Sequence, residues 1–360
     1  MKPALVASTE EFARVAPEWE ALAERLAAAP FLFPGWIEAW TRAFGRGRLA
    51  VRVLRREGAL AALVPVLARR GALALPTNWH SPESGWLADS PEAEAALLDA
   101  LLGERPRRLA FAFLDPSRAE PAALRARARG YRVLRRTLQS SPGIDLVGDW
   151  ESFVRGLGKN LRGDLARRRR KLAAQGVMTI EVSAGEALEE RLAEGFRVEA
   201  SSWKGSSGTA IDSDEASRRF YTEVARWAAA RGWLRLAFLR LDGRALAFDY
   251  CLEHAGVHYM LKTGYDPASR ELSPGKVLRE AMIQRAFQEG LRAYELLGAA
   301  EPWKLQWTSV TRPRELVQLF RPSPTGLVDW SLFRYGRPLA KRLRDRVRTL
   351  RGGTGATSGA

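Results

Sequence analysis

The chain has 360 residues, a length that suits two domains of ordinary size, and its 46% apolar content is enough for sizeable cores. Its single cysteine, Cys251, excludes a disulfide framework and a multi-cysteine metal site; the three histidines (His80, His254, His258) lack ligand spacing, so no metal is expected. The formal net charge is +16, of which residues 155–171 and 334–351 each contribute +7, from eight basic residues against one aspartate.

In chain order, Met1–Val6 has no apolar signal core. Ser8-x-x-Glu11 reads as a capping box, with Phe12, Val15, Trp19, Leu22 and Leu26 at helical spacing behind it. A second helix is expected over Gly35–Phe44, then a hairpin of Arg48–Arg55 and Leu60–Ala68 around Glu57-Gly58. The longest apolar run, Ala59–Ala68, is interrupted by Pro65 and is too short for a membrane span, which makes the cytoplasm the expected compartment. A loop over Leu75–Trp86 precedes a helix (Pro91–Leu102), a strand (Leu109–Leu114), a helix (Pro121–Arg129) and a strand (Tyr131–Leu138). Ser140-Ser-Pro-Gly143 reads as a turn, since no helix follows it. The domain boundary is placed near residue 147, giving domains over 1–147 and 148–330, a basic helix over 331–351 and a polar tail over 352–360.

The second half opens with one helix over Glu151–Gln175, then a strand (Val177–Val182), a helix from Leu188 and another ending at Gly232. Three strands follow: Leu234–Leu241, Ala245–Glu253 and Val257–Tyr265, joined by Gly-bearing turns. Arg270-Glu-Leu-Ser-Pro-Gly275-Lys-Val opens a helix to about Glu289, and Ala293–Leu297 is the next strand. A turn that feeds a helix start suits phosphate, because the first amides of a helix have no internal partner and its N-terminus is partly positive. Pro274 is harmless there, Gly275 leaves room for a ligand, and Lys276 adds a full charge. Leu316–Phe320 reads as an edge strand.

Arg270-x-x-Ser273-x-Gly275 resembles the Q/R-x-x-G-x-G/A loop with which GNAT acetyltransferases cradle the pyrophosphate of coenzyme A, with Ser273 in place of the first glycine. Ser202-Trp203-Lys204-Gly205, Gly264-Tyr265-Asp266 and Glu301-x-Trp303-Lys304 extend the resemblance to a branch associated with cellulose and exopolysaccharide biosynthesis, related to the Fem transferases of peptidoglycan bridges. The resemblance implies an α/β (α+β) protein of two tandem GNAT-like domains, each a mixed, mostly antiparallel sheet flanked by helices. It implies direct acyl transfer from acetyl-CoA or another acyl-CoA to an amine or hydroxyl. The acceptor it implies is a sugar, a lipid-linked sugar or another envelope precursor. Arg270, Ser273, Pro274, Gly275, Lys276 and Val277 would hold the donor.

Asp249, in an apolar strand, is a candidate base, and equally a solvated residue or a structural partner for an arginine. Lys304 follows a strand end where such sheets place ligands, and the family motif has a lysine there. Tyr265 and Tyr259 either border the cleft or pack in the core; Trp203, Lys204 and Glu301 belong to the motifs on the acceptor side. Strand alternation puts Tyr259, Leu261 and Thr263 on one face, and Met260, Lys262 and Gly264 on the other. The two basic segments, read as helices, either face solvent or meet an anionic membrane surface. Nucleic acid is not expected, except tRNA if the chain is instead a Fem-like transferase that uses aminoacyl-tRNA.

Overall fold

The computed structural model describes residues 2–201 and 211–336. Strand β1 (Lys2–Val6) leads into α1 (Thr9–Arg25), which is capped as the sequence foretells: Ser8 Oγ accepts from the Glu11 amide, and the Glu11 carboxylate accepts from the Ser8 amide, both at 3.1 Å. Then come α2 (Pro34–Phe44), the hairpin of β2 (Arg48–Arg56) and β3 (Ala59–Arg69), the short β4 (Ala72–Ala74) and β5 (Leu87–Ala88), α3 (Pro91–Gly103), β6 (Arg108–Leu114), α4 (Pro116–Ala128) and β7 (Arg132–Asp145). The second half runs α5 (Trp150–Gly156), α6 (Lys159–Ala173), β8 (Met178–Ser183), α7 (Leu188–Ser201), α8 (Glu215–Ala229), β9 (Leu234–Leu241), β10 (Arg244–His254), β11 (Val257–Tyr265), α9 (Pro274–Gln288), β12 (Ala293–Glu295), α10 (Pro302–Leu305), β13 (Thr311–Phe320) and α11 (Pro324–Ser331).

One sheet runs through both halves in the order β1-β2-β3-β4-β6-β13-β7-β12-β11-β10-β9-β8, with β5 on β3. It is antiparallel except at two places, β4 with β6 and β11 with β12. Each half thus carries an antiparallel run that ends in one parallel pair. Helices cover both faces. The first core joins Trp19, Phe31, Phe33 and Trp36 to Phe220, Phe238, Phe248 and Tyr250, so α1 and α2 of the first half pack on strands and a helix of the second. A second core lies under α3 and α4, and a third between α6, α9 and the sheet.

Four local readings change. Helix α4 begins at Pro116 and not at Pro121, because Asp115 caps it by accepting from the Ser117 amide at 3.0 Å. Ser140–Gly143 is strand and not turn: Ser140, Ser141 and Pro142 pair with Pro313, Arg312 and Thr311 of β13, and Gly143 pairs with Glu295 of β12. Strand β7 therefore carries the sheet from one half into the other. The helix expected over Glu151–Gln175 divides, since Leu157 is extended (φ −67°, ψ 148°) and Gly158 begins a new N-terminus. Strand β13 lies inside the sheet between β6 and β7, not at an edge. The basic stretch beyond Gly336 and the polar tail lie outside the described residues. Among the described residues, no helix is long and apolar enough to cross a membrane.

Candidate active site

Strands β11 and β12 pair only over Val257–Tyr259 and Ala293–Glu295. Beyond that, β11 stays with β10 as far as Tyr265, while the other chain leaves through Leu297 and Gly298, both with positive φ (52° and 61°). The two strands splay, and a cleft of about 1190 Å³ opens between them. Met260–Tyr265 thus have β10 on one side and the cleft on the other.

A bulge shapes this wall. The register between β10 and β11 slips at Tyr250/Cys251, which leaves Leu261 without an opposite residue. The alternation read from the sequence therefore reverses halfway along the strand. Tyr259, Lys262 and Gly264 share one side: Tyr259 packs edge-on against Phe31 at 5.3 Å, Lys262 Nζ lies 5.3 Å from the centre of the Tyr221 ring, and Gly264 lies against Glu199. A Cβ on Gly264 would meet the Glu199 Cα at 2.4 Å, which explains the glycine. Thr263 faces the opposite way, where its Oγ1 accepts from Arg279 at 3.2 Å.

The loop that leads into α9 forms one end of the cleft. Ser273 adopts the left-handed conformation (φ 51°, ψ 52°), so the position that is glycine in the resembled loop keeps glycine's geometry with a serine. A non-glycine residue there costs about 1–2 kcal/mol. Ser273→Gly should accordingly raise stability by about 0.5–1 kcal/mol after the entropy cost of glycine; equal or lower stability in urea titrations would contradict the strain. Pro274 has no amide proton, and the Lys276 and Val277 amides reach Ser273 O at 3.0 and 3.4 Å. The first-turn donor left for a ligand is Gly275, and a Cβ there would make only ordinary contact with Tyr265, at 3.8 Å.

Helix α6 closes over this loop. Lys276 Nζ meets Asp164 Oδ2 at 2.7 Å, Arg168 donates to the Glu271 carbonyl, and Arg169 pairs with Glu280 at 2.6 Å. Hydrogen bonds from Lys276, Arg167 and Arg168 hold the Asp164 carboxyl well below its usual range, against a desolvation that opposes them. Arg167, Arg168 and Lys171 line the cleft beside Arg270 and Lys276. Part of the basic run thus borders the site.

Of the residues singled out from the sequence, Lys262, Tyr265, Arg270, Ser273, Gly275, Lys276, Glu301 and Lys304 line one cleft. Pro274, Val277, Tyr259 and Asp249 do not; Val277 and Tyr259 are core residues. Trp203 and Lys204 lie outside the described residues. Lys304 is almost fully buried, and its ammonium donates to the Leu297 and Ala299 carbonyls at 2.8 and 3.2 Å and meets Glu301 at 3.1 Å. It staples the positive-φ turn that splays the strands. Cys251 is fully buried, and burial pushes its thiol well up. Among the described residues, no group of three or more His, Cys, Asp or Glu is placed to hold a metal.

Asp249 is fully buried and grips Arg279, with Oδ2 and Oδ1 accepting from the guanidinium at 2.7 and 3.0 Å. Arg279 also donates to Tyr294 Oη at 2.9 Å and lies 5.8 Å from the centre of the Trp303 ring. It lines the cleft, and it was missed in the sequence. The available signal was a charge within the apolar run of α9, facing a carboxylate in an equally apolar strand.

These walls can bind a phosphorylated donor at a helix start and leave a strand edge beside its acyl group, which is what thioester aminolysis needs. Residues 159–305 match the acetyltransferase (GNAT) domain family. The matched segment begins with α6 and ends with α10, and so spans all of the cleft's walls but Trp307. The chain is an acyltransferase. No curated protein matches the sequence. Among solved structures, FemX is similar with a TM-score of 0.59 at 12% identity, covering 88% of this chain and 97% of that one. The C-terminal domain of an Agrobacterium fabrum protein assigned as a lysylphosphatidylglycerol synthetase gives 0.56 at 14%, covering 89% and 97%. A Bacteroides thetaiotaomicron protein of unknown function gives 0.53 at 11%, covering 79% and 89%. At these identities the likenesses show the fold, and all three extend over both halves of the chain.

Proposed function

We propose that this acyltransferase uses an acyl-CoA, with acetyl-CoA as the simplest donor, and acts by direct transfer to an amine or hydroxyl. The observation that carries the donor reading is the helix start at Ser273–Lys276 opening directly onto the splay between β11 and β12. The pyrophosphate would lie against the Gly275 amide, with Arg270, Lys276 and Arg168 supplying cations. The acyl carbonyl would then reach the open edge of β11. In this reading Tyr265, beside Gly275, faces the leaving sulfur; Lys304 fixes the turn; and Asp249 acts on Arg279 and not on the acceptor. The resemblance to the exopolysaccharide-associated branch supports a sugar, lipid-linked or other envelope precursor as acceptor, handled in the cytoplasm or at the inner membrane face. The basic stretch over 334–351 would serve as the contact with anionic lipid.

A second reading is a Fem-like transfer from aminoacyl-tRNA. The arginines at the cleft mouth favour it, as does the fold shared with FemX. Calorimetry with coenzyme A, acetyl-CoA, longer acyl-CoAs and tRNA separates the two. Binding of coenzyme A in the absence of tRNA supports the first reading. Binding of tRNA alone, with no response to any acyl-CoA, replaces it by the second.

A further inference from the structure

The donor site proposed above uses three of the cations at the mouth of the cleft, Arg168, Arg270 and Lys276, and leaves Arg167 and Lys171 without a role. One carboxylate gathers part of this cluster. Asp164 accepts from Arg167 at 2.6 Å and from Arg168 at 3.1 Å, and it meets Lys276 of α9 at 2.7 Å. Arg168 also donates to the Glu271 carbonyl, so this turn of α6 is fastened to the loop that leads into α9. Lys171 stands one turn beyond Arg167 on the same face, because residues four apart in a helix are neighbours. Both line the cleft, whereas Arg162 and Arg170 of the same helix do not, and Arg169 turns to Glu280. Arg167 gives one nitrogen to Asp164. Among the described residues, Lys171 enters no ion pair.

The cleft has an inner and an outer end. Met260, Leu296 and Lys304 are buried on its inner wall, while Arg167, Lys171 and Arg270 are exposed at its mouth. A donor whose acyl arm enters the splay beside Leu296 therefore turns its nucleotide end outward, past Gly275 and toward α6. The charges there are matched to phosphate. With Asp164 offsetting one of them, Arg168, Arg270 and Lys276 balance the two charges of a pyrophosphate diester. Arg167 and Lys171 add two more, which is about what a phosphate monoester carries at neutral pH. Glu271, exposed at the same end, is the acidic group that opposes them.

We propose that Arg167 and Lys171 form a subsite for a phosphate monoester at the nucleotide end of the donor, namely the 3′-phosphate on the ribose of coenzyme A. This rests on the acyl-CoA reading above. Arg167 donates through the guanidinium nitrogens that Asp164 does not engage, and Lys171 acts as a point charge beside it. The pair makes the chain select coenzyme A over its dephospho form.

Calorimetry with coenzyme A and dephospho-coenzyme A at one ionic strength tests this. The wild type should bind coenzyme A about 10–100-fold more tightly, as two charge-assisted contacts at a half-exposed site imply. Arg167→Gln with Lys171→Gln should lose most of that preference and keep the wild-type affinity for dephospho-coenzyme A, which also reports that the variant is folded. Arg162→Gln with Arg170→Gln removes the same charge from α6 outside the cleft and should keep the preference, which separates a subsite from the general attraction of a basic helix. Equal binding of the two ligands by the wild type overturns the subsite and leaves the donor reading standing. A preference that survives in the cleft-lining variant, or that falls equally in both variants, also overturns it. If neither ligand binds, with or without tRNA present, the donor reading fails and the subsite fails with it.

Discussion

Gly275→Asp should abolish coenzyme A binding while the protein stays folded. The backbone at 275 is ordinary, and an added Cβ would only touch the Tyr265 ring. A carboxylate in the first turn of a helix even favours the helix, by about 0.3–1 kcal/mol. The substitution therefore keeps or raises thermal stability. The same carboxylate would face the pyrophosphate, and two like charges about 4 Å apart repel by about 4 kcal/mol at an effective dielectric of about 20. That is roughly a thousandfold in affinity. Gly275→Ala adds the same contact without the charge and should bind nearly as well as wild type. Calorimetry on both variants tests the assignment, which would be wrong if the aspartate variant bound coenzyme A with undiminished affinity.

What was legible in the sequence follows the range of the interactions involved. The hairpin of β2 and β3, the strands β9 to β11 and the start of α9 are set by local turns, alternation and caps, and each appears within a residue or two of its expected bounds. The turn at Ser273 that starts α9 was legible for the same reason, since Ser273–Lys276 is a local motif. The failures are nonlocal. Ser140–Gly143 has turn composition, yet it is strand because β13 and β12 supply partners from more than a hundred residues downstream. Strand β13 reads as an edge in the sequence because its partners, β6 and β7, lie far upstream. The bulge at Leu261 depends on how β10 and β11 register, and without it Lys262 and Thr263 were assigned to the wrong faces. His80 meets Tyr221 and Ser217 of α8, about 140 residues away, which no spacing in the sequence reveals.

Asp249 shows the same limit most sharply, and it reverses an expectation. From the sequence, Asp249→Asn is a near-isosteric change that should leave stability close to wild type. In the structure Asp249 holds both arms of a guanidinium that is itself 2% exposed. Asparagine keeps one acceptor and removes the charge, leaving the Arg279 cation buried without its counterion. Removing one member of such a pair costs about 3–5 kcal/mol, whereas replacing both by apolar groups of similar size is often neutral. Asp249→Asn should therefore lose about 3 kcal/mol in urea titrations, and Asp249→Leu with Arg279→Met should recover most of it. The double variant also separates stability from function. Arg279 ties Asp249 to Thr263 and Tyr294, and it lies against Trp303 at the cleft wall. If the donor binds as proposed, a folded double variant without the ion pair should retain coenzyme A binding at the Ser273–Lys276 end and lose transfer, because the cleft wall at Trp303 is no longer held. Wild-type stability of Asp249→Asn would mean that the pair is not buried as described. Wild-type turnover in the double variant would remove Arg279 and Asp249 from the catalytic apparatus altogether.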